Sequence, residues 1–249
     1  MGDEYVSRAL IFNQFGNPTD VLKLGEVEKT QLETNEVLVK MDYSPINPSD
    51  ILPIRGAYSH QTLLPAIPEY EGVGKIIEVG SSVSKSRVGQ RVLPLRGEGL
   101  WQEDVKCNAD FAIPVRERIN SLATSQLYIN PLTAWVLCKE ILKVKKGQII
   151  AINAANTSFG RIMIQLSKLL GFHLIAVVRK EKYIDELRDL GAIQVVKLES
   201  KESFSKLSDW EIDAAVDLIG GTSGTNLART VKIGGIFRSI GLLSGKQAD

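Results

Sequence analysis

The residues with the clearest chemical potential lie between 152 and 182, in INAANTSFGRIMIQLSKLLGFHLIAVVRKEK. A strand, a tight turn, a helix and a second strand in that order form the outline that cradles a dinucleotide. In the usual fingerprint the first glycine permits the turn and the second admits the pyrophosphate. The third lets the helix pack on the strand. Aligned on the helix start, those places hold Ala155, Thr157 and Gly160, so only the third glycine is present. Asn156 tolerates a left-handed backbone better than most residues. Thr157 and Ser158 offer hydroxyls beside the N–H groups of a helix N-terminus. The second strand ends in Arg179-Lys180. An acid there would accept bonds from a ribose 2′-hydroxyl, whereas an arginine suits a 2′-phosphate through bidentate pairing. The pattern points to NADPH over NADH. A βα turn without ligand and a solvated arginine at a helix entry are the plainer alternatives.

Metal chemistry has no comparable basis. Cys107, Cys138, His60 and His173 lack the close spacing of a tetrahedral site, and two distant cysteines make no disulfide framework. His173 opens a strand and reads as structural, and His60 reads as a loop residue.

The elements that must position these residues fall into two regions. ALIFNQF, VLKLGEV, EVLVKMDYSPI, VGKIIEVG and QRVLPL are short apolar or alternating runs, punctuated by Gly, Pro, Asn and Asp. They predict a small, irregular, barrel-like β-domain over residues 1–120. SLATSQLYINPLTAWVLCKEIL is helical in period, with an interruption expected at Asn130-Pro131. Beyond it, KKGQIIAINAA, HLIAVVR, QVVKL, EIDAAVDLIGG and IFRSIGLL read as strands. GRIMIQLSKLLG, KYIDELRDLGA and TNLARTVKIGG read as the helices between them. That alternation predicts an α/β, doubly wound parallel sheet over 121–249. Asp213 and Asp217 read as strand-end and turn residues. Five strands are counted where the dinucleotide-binding form usually has six, which suggests a shortened chain whose sheet has an open edge.

With 249 residues, 44% hydrophobic and 24% charged, the composition is that of a globular protein of one large or two small domains. The net charge of +1 gives no electrostatic case for nucleic acid or an acidic membrane surface. The N-terminal MGDEYVSRAL has no signal-peptide core, and no apolar run is long enough to span a bilayer, so a cytoplasmic protein is expected.

SPINPSDILPIRGAY, IPEYEGVGKIIEVGSSV, GQRVLPLRGEGLWQE, YINPLTAWVL, NAANTSFGRIMIQLSKLLG and DLIGGTSGTNLAR occur in an order that resembles one family. It is the zinc-independent branch of the medium-chain dehydrogenase/reductase superfamily, which includes quinone oxidoreductases and 2-enoyl thioester reductases. The resemblance implies a GroES-like catalytic domain and a Rossmann domain that binds NADPH. It also implies hydride transfer to a quinone or other conjugated carbonyl, or to an enoyl thioester. A truncated NADPH-binding protein without activity is the remaining alternative. Where zinc-dependent relatives carry Cys and a His-Glu pair, this chain has INPSD and Tyr70-Glu71. Tyr58 matches a tyrosine near the substrate, where its phenol would donate a proton or bond the substrate oxygen. Asn47 matches a polar group near the nicotinamide, and is equally a turn residue before Pro48. Asn130 and Thr133 are implied at the nicotinamide side, with Gly220, Ile240, Gly241 and Leu242 near the strand ends. Trp101 stands in a substrate-pocket stretch, or packs in a core. The family's homodimer uses the segment that follows residue 249, so the resemblance does not extend the dimer to this chain.

Overall fold

The computed structural model describes residues 5–57, 59–96, 99–198, 204, 207 and 209–248. Two compact units emerge, Met1–Ile129 and Asn130–Asp249.

In the first unit the order is β1 (Tyr5–Ile11), α1 (Pro18–Val21), β2 (Lys23–Lys29), β3 (Glu36–Tyr43) and α2 (Pro48–Ile54). Then come β4 (Val73–Val79), β5 (Arg91–Pro94), β6 (Asp104–Asn108), β7 (Ala112–Pro114) and α3 (Ser121–Thr124). β1 and β2 pair antiparallel, and the main sheet runs β6-β3-β4-β5-β7 with antiparallel neighbours. Val37, Val39, Ile76, Val92 and Cys107 are buried in its core. β3 stops at Tyr43, short of the predicted run to Ile46, because Pro45 and Pro48 cannot donate to a ladder. Pro48 instead opens α2 with its fixed φ, and Asn47 is the N-cap. β6 and β7 were not foreseen. Their residues, DVKCN and AIP, are too short and too mixed to show a period of two.

The second unit comprises α4 (Ile129–Val136), a π-type turn over Leu137–Ile141, β8 (Ile149–Ile152), α5 (Ser158–Leu170) and β9 (His173–Val178). α6 (Ile184–Leu190), β10 (Gln194–Lys197), β11 (Ile212–Asp217), α7 (Gly221–Ala228) and β12 (Val231–Ser239) follow. The five strands are parallel in the order β10-β9-β8-β11-β12. Alternate residues of the inner strands face opposite sides, and both sides are covered. Ile150, Ile152, Leu174 and Ala176 pack with Met163 and Ile164 of α5 and Leu187 of α6. Ala151, Ile175, Val177 and Ala215 pack on the other face with Leu227 of α7.

Two expectations are corrected. Pro131 does not interrupt a helix: it lies in the first turn of α4, where an N–H would have no intrahelical partner anyway. The helix expected over TNLARTVKIGG ends at Ala228, and Val231 already begins β12. β-branched Val231 and Ile233 and the Gly234-Gly235 pair favour extended chain over helix.

Candidate cofactor and active site

β8 carries the chain into the turn that ends at α5. The left-handed residue there is Ala154, with φ of 47°, and not Asn156. An alanine in this region costs roughly 1 kcal/mol. Next to it, buried Ala155 donates its N–H to the Val177 carbonyl of β9 at 3.2 Å, which fixes the path of the turn. Thr157 is the N-cap of α5, and its Oγ1 accepts the Gly160 N–H at 3.2 Å. The hydroxyl hydrogen of Thr157 stays available for donation, and Ser158 beside it is exposed. A Cβ on Gly160 would stand 2.4 Å from the Ala155 carbonyl oxygen, so the helix can pack this closely only on glycine. Arg161 was not singled out from sequence. Its Nη1 donates to the Asn156 carbonyl, while Nε and Nη2 bond the two oxygens of Glu186 at 2.8 and 2.9 Å. The Arg161 guanidinium holds the Glu186 carboxyl below its usual range, chiefly by hydrogen bonding.

Arg179 and Lys180 follow β9 directly and are exposed. The nearby Glu181 is engaged by Lys197 at 3.1 Å. Among the described residues the Arg179 side chain has no hydrogen bond or ion pair. The residues fit NADPH: a helix N-terminus with an open hydroxyl would take the diphosphate, Gly160 lets that helix pack against the turn, and an uncommitted guanidinium would take a 2′-phosphate.

The carboxyl ends of β8, β11 and β12 are tied together through Asp217. Its Oδ1 accepts from Asn153 Nδ2 at 2.6 Å and from the Ile219 and Gly220 N–H groups at 3.0 Å. Its Oδ2 accepts from Ser239 Oγ at 2.9 Å. Asn153 Oδ1 in turn accepts the Leu218 N–H at 2.7 Å. Gly220 has φ of 74° and its Cβ would fall 2.0 Å from the Lys246 carbonyl oxygen. A Cβ on Gly241 would fall 2.5 Å from the Leu218 carbonyl oxygen. Thr133 and Ile240 line one small apolar pocket of about 240 Å³ with Leu132, Val136 and Ile141. Asn130 is half-buried in the first turn of α4. Ile240 and Leu242 are exposed on the loop after β12.

In the first unit Asn47 is buried at the start of α2. Its Nδ2 donates to Glu71 Oε1 at 2.9 Å, and its backbone N–H donates to Asp50 Oδ2. Glu71 Oε2 accepts the N–H groups of Tyr128 and Ile129 at 3.2 and 2.8 Å. Glu69 Oε1 accepts the Glu71 N–H at 2.9 Å. Burial raises the carboxyls of Asp50 and Glu71, and burial together with Asp50 pushes Glu69 up to about 9. None of these three acids was singled out from sequence. Nothing in PSD or PEYEG sets them apart as buried. Tyr58 lies outside the described residues. Trp101 packs beside Phe12, Val21 and Ile54, and its Nε1–H donates to the Pro45 carbonyl at 3.1 Å. It lines an open apolar groove of about 640 Å³ with Leu10, Leu24, Met41 and Ile46. His60 and His173 are exposed. Cys107 and Cys138 are buried and unpaired, and burial pushes their thiols up to about 12 and about 11.

Residues 33–117 match the alcohol dehydrogenase GroES-like domain family. The chain is 33% identical over 250 residues to a mitochondrial enoyl-[acyl-carrier-protein] reductase of Caenorhabditis elegans, covering 98% of this chain and 72% of the relative. A Bacillus thuringiensis structure described as an NADPH:quinone reductase superposes with a TM-score of 0.93 at 45% identity, over 98% of this chain and 75% of that one. The mitochondrial 2-enoyl thioester reductase heterodimer of Candida tropicalis gives a TM-score of 0.87 at 29% identity, over 98% and 78% of the two chains. The chain belongs to the zinc-independent branch of the medium-chain dehydrogenase/reductase superfamily.

The β-rich unit carries the GroES-like match, and the parallel sheet is of the Rossmann type. The chain spans 65% of the rat mitochondrial enoyl-[acyl-carrier-protein] reductase and 72% of the nematode one.

Proposed function

We propose that the protein is an NADPH-dependent oxidoreductase that reduces a quinone or another conjugated carbonyl compound. The observation that carries this reading is the strand-to-helix turn of the second unit. Thr157 caps a 13-residue helix there, and exposed Arg179 ends the next strand with Glu181 drawn away to Lys197. When bound, NADPH supplies the hydride, and the protein supplies orientation and a proton route. Thr157, Ser158 and the first N–H groups of α5 would hold the diphosphate, and Arg179 and Lys180 the 2′-phosphate. Asn156 shapes the turn through its carbonyl, and Gly160 allows the close approach. Asn130, Thr133, Gly220 and Gly241 would border the nicotinamide side. Tyr58 would donate the proton or bond the substrate oxygen, with Asn47 as a second polar group and Trp101 on the apolar side of the substrate. Neither Asn47 nor Tyr70 offers the thiolate or imidazole that a catalytic zinc takes.

We assign residues 1–120 to substrate chemistry and 121–249 to the cofactor. The partner is a small molecule, and the net charge of +1 offers no platform for nucleic acid or an acidic membrane. Among the described residues no helix is long and apolar enough to cross a membrane. Two buried, unpaired thiols fit a reducing compartment such as the cytoplasm.

A second reading, reduction of a 2-enoyl thioester, is favoured by the nematode and yeast relatives. NADPH oxidation with a benzoquinone and with crotonyl-CoA separates the two. Turnover on the quinone alone supports the first reading and turnover on the thioester alone the second. No turnover with either, by a folded protein that binds NADPH, would overturn both.

A further inference from the structure

Asp50, Glu69 and Glu71 are 0%, 2% and 1% exposed. No lysine, arginine or histidine among the described residues acts on their carboxyls; the groups that do are one another, Asn47, Ser49 and backbone N–H groups. Tyr128 meets Glu71 through its backbone N–H. Arg91, a buried cation of the same unit, is spent elsewhere, on the Ile119 carbonyl at 2.7 Å and Thr124 Oγ1 at 2.6 Å.

The bonds among these residues form a ring. Asn47 donates its N–H to Asp50 and its Nδ2 to Glu71, and Glu71 donates its N–H to Glu69. The ring closes between the Asp50 and Glu69 carboxyls, each of which shifts the titration of the other. Asp50 Oδ1 and Glu69 Oε2 are buried and make no hydrogen bond of good geometry, and the Ser49 hydroxyl that also acts on Asp50 is itself buried and unpartnered. Two ionised carboxylates cannot share such a place, because desolvation and like charge both oppose it. One proton between them supplies the missing donor and satisfies both oxygens. Glu69 also holds a left-handed backbone, with φ of 88°. A glutamate stays in that strained region only where its surroundings over-determine it.

We propose that Asp50 and Glu69 are positioning residues that share one proton, and that this proton closes the ring that holds Asn47 in place for the reaction. Asn47's part in the reaction rests on the reductase reading; the shared proton does not. Removing the proton leaves adjacent buried charges that repel, opens the ring and frees Asn47. The device therefore works below the alkaline range and fails within it.

Three measurements on the whole protein test this. Infrared spectroscopy in D₂O should show the carbonyl stretch of a buried protonated carboxyl at neutral pH. The band should fade with a midpoint near 9 and be missing in Glu69→Gln. The Asn47 side-chain amide resonance should move with the same midpoint in the wild type and stay still in Glu69→Gln, whose amide donates permanently. Turnover should fall at least about tenfold between pH 7 and pH 10 in the wild type and less than about threefold in Glu69→Gln, a tenfold change being about 1.4 kcal/mol. No protonated-carboxyl band at neutral pH overturns the shared proton. A titrating band with a motionless Asn47 amide overturns the positioning role, as does an identical alkaline fall in Glu69→Gln. If that variant fails to fold, Asp50→Asn, with the same permanent donor, takes its place. A band and a moving amide without turnover on any acceptor overturn the reductase reading alone.

Discussion

Asp217 in the second unit and the Asp50–Glu69 pair in the first are buried alike, at 0%, 0% and 2% exposure, yet only Asp217 meets donors at both oxygens. Asn153, Ile219, Gly220 and Ser239 all bond to it, so one carboxylate gathers the ends of three strands. The pair has a donor at one oxygen of each residue and none at the other. The same residue types therefore do different work. Where donors surround a buried acid it is an anchor, and where they are missing it must keep a proton, which makes the place sensitive to pH.

The sharpest break of this contrast is Asp217→Ala, which strips four donors of their acceptor. We expect a loss of about 4 kcal/mol in unfolding free energy by denaturant titration. Glu69→Gln should cost less than about 1.5 kcal/mol at neutral pH, because its amide replaces the shared hydrogen. Equal losses would erase the distinction. Next in size, Tyr58→Phe should lower turnover about a hundredfold while leaving NADPH affinity unchanged. Unchanged turnover on every accepted substrate would remove Tyr58 from proton donation. Arg179→Ala should weaken NADPH binding about 10- to 100-fold and NADH binding hardly at all, since only the 2′-phosphate is lost to it. Equal losses for the two cofactors would overturn that assignment.

The last expected effect is a slope. A carboxyl such as Glu69, raised from the ordinary 4.5 to about 9 on folding, contributes stability that is fully present below the lower value. That stability is lost as pH rises through the upper one. Wild-type stability should fall between these limits by up to about 1.4 kcal/mol per pH unit, and Glu69→Gln should be flatter. Parallel slopes in the two proteins would show that Glu69 does not carry the proton.

The second unit was largely legible in the sequence. Its strands are apolar runs, its helices have an apolar face, and Gly171 ends α5 with φ of 77°. What was missed there is local. Ala154, not Asn156, takes the left-handed turn, because the Ala155 bond to Val177 sets the path and not residue preference. Arg161 escaped notice because its role depends on Glu186, 25 residues away. The first unit was less legible. β6 and β7 are too short for periodicity, and their pairing with β3 and β5 joins distant segments. The acid ring was invisible because nothing in PSD or PEYEG distinguishes a buried carboxyl from a solvated one. Only the fold that brings Asp50 beside Glu69 does so.

The most direct test of the account is cofactor binding to the purified protein, followed by NADPH fluorescence with NADH as control. The account predicts saturable binding with NADPH favoured by at least about tenfold, the share that one charge-assisted phosphate contact provides. Equal affinity for NADH, or no binding of NADPH by the folded protein, would contradict it.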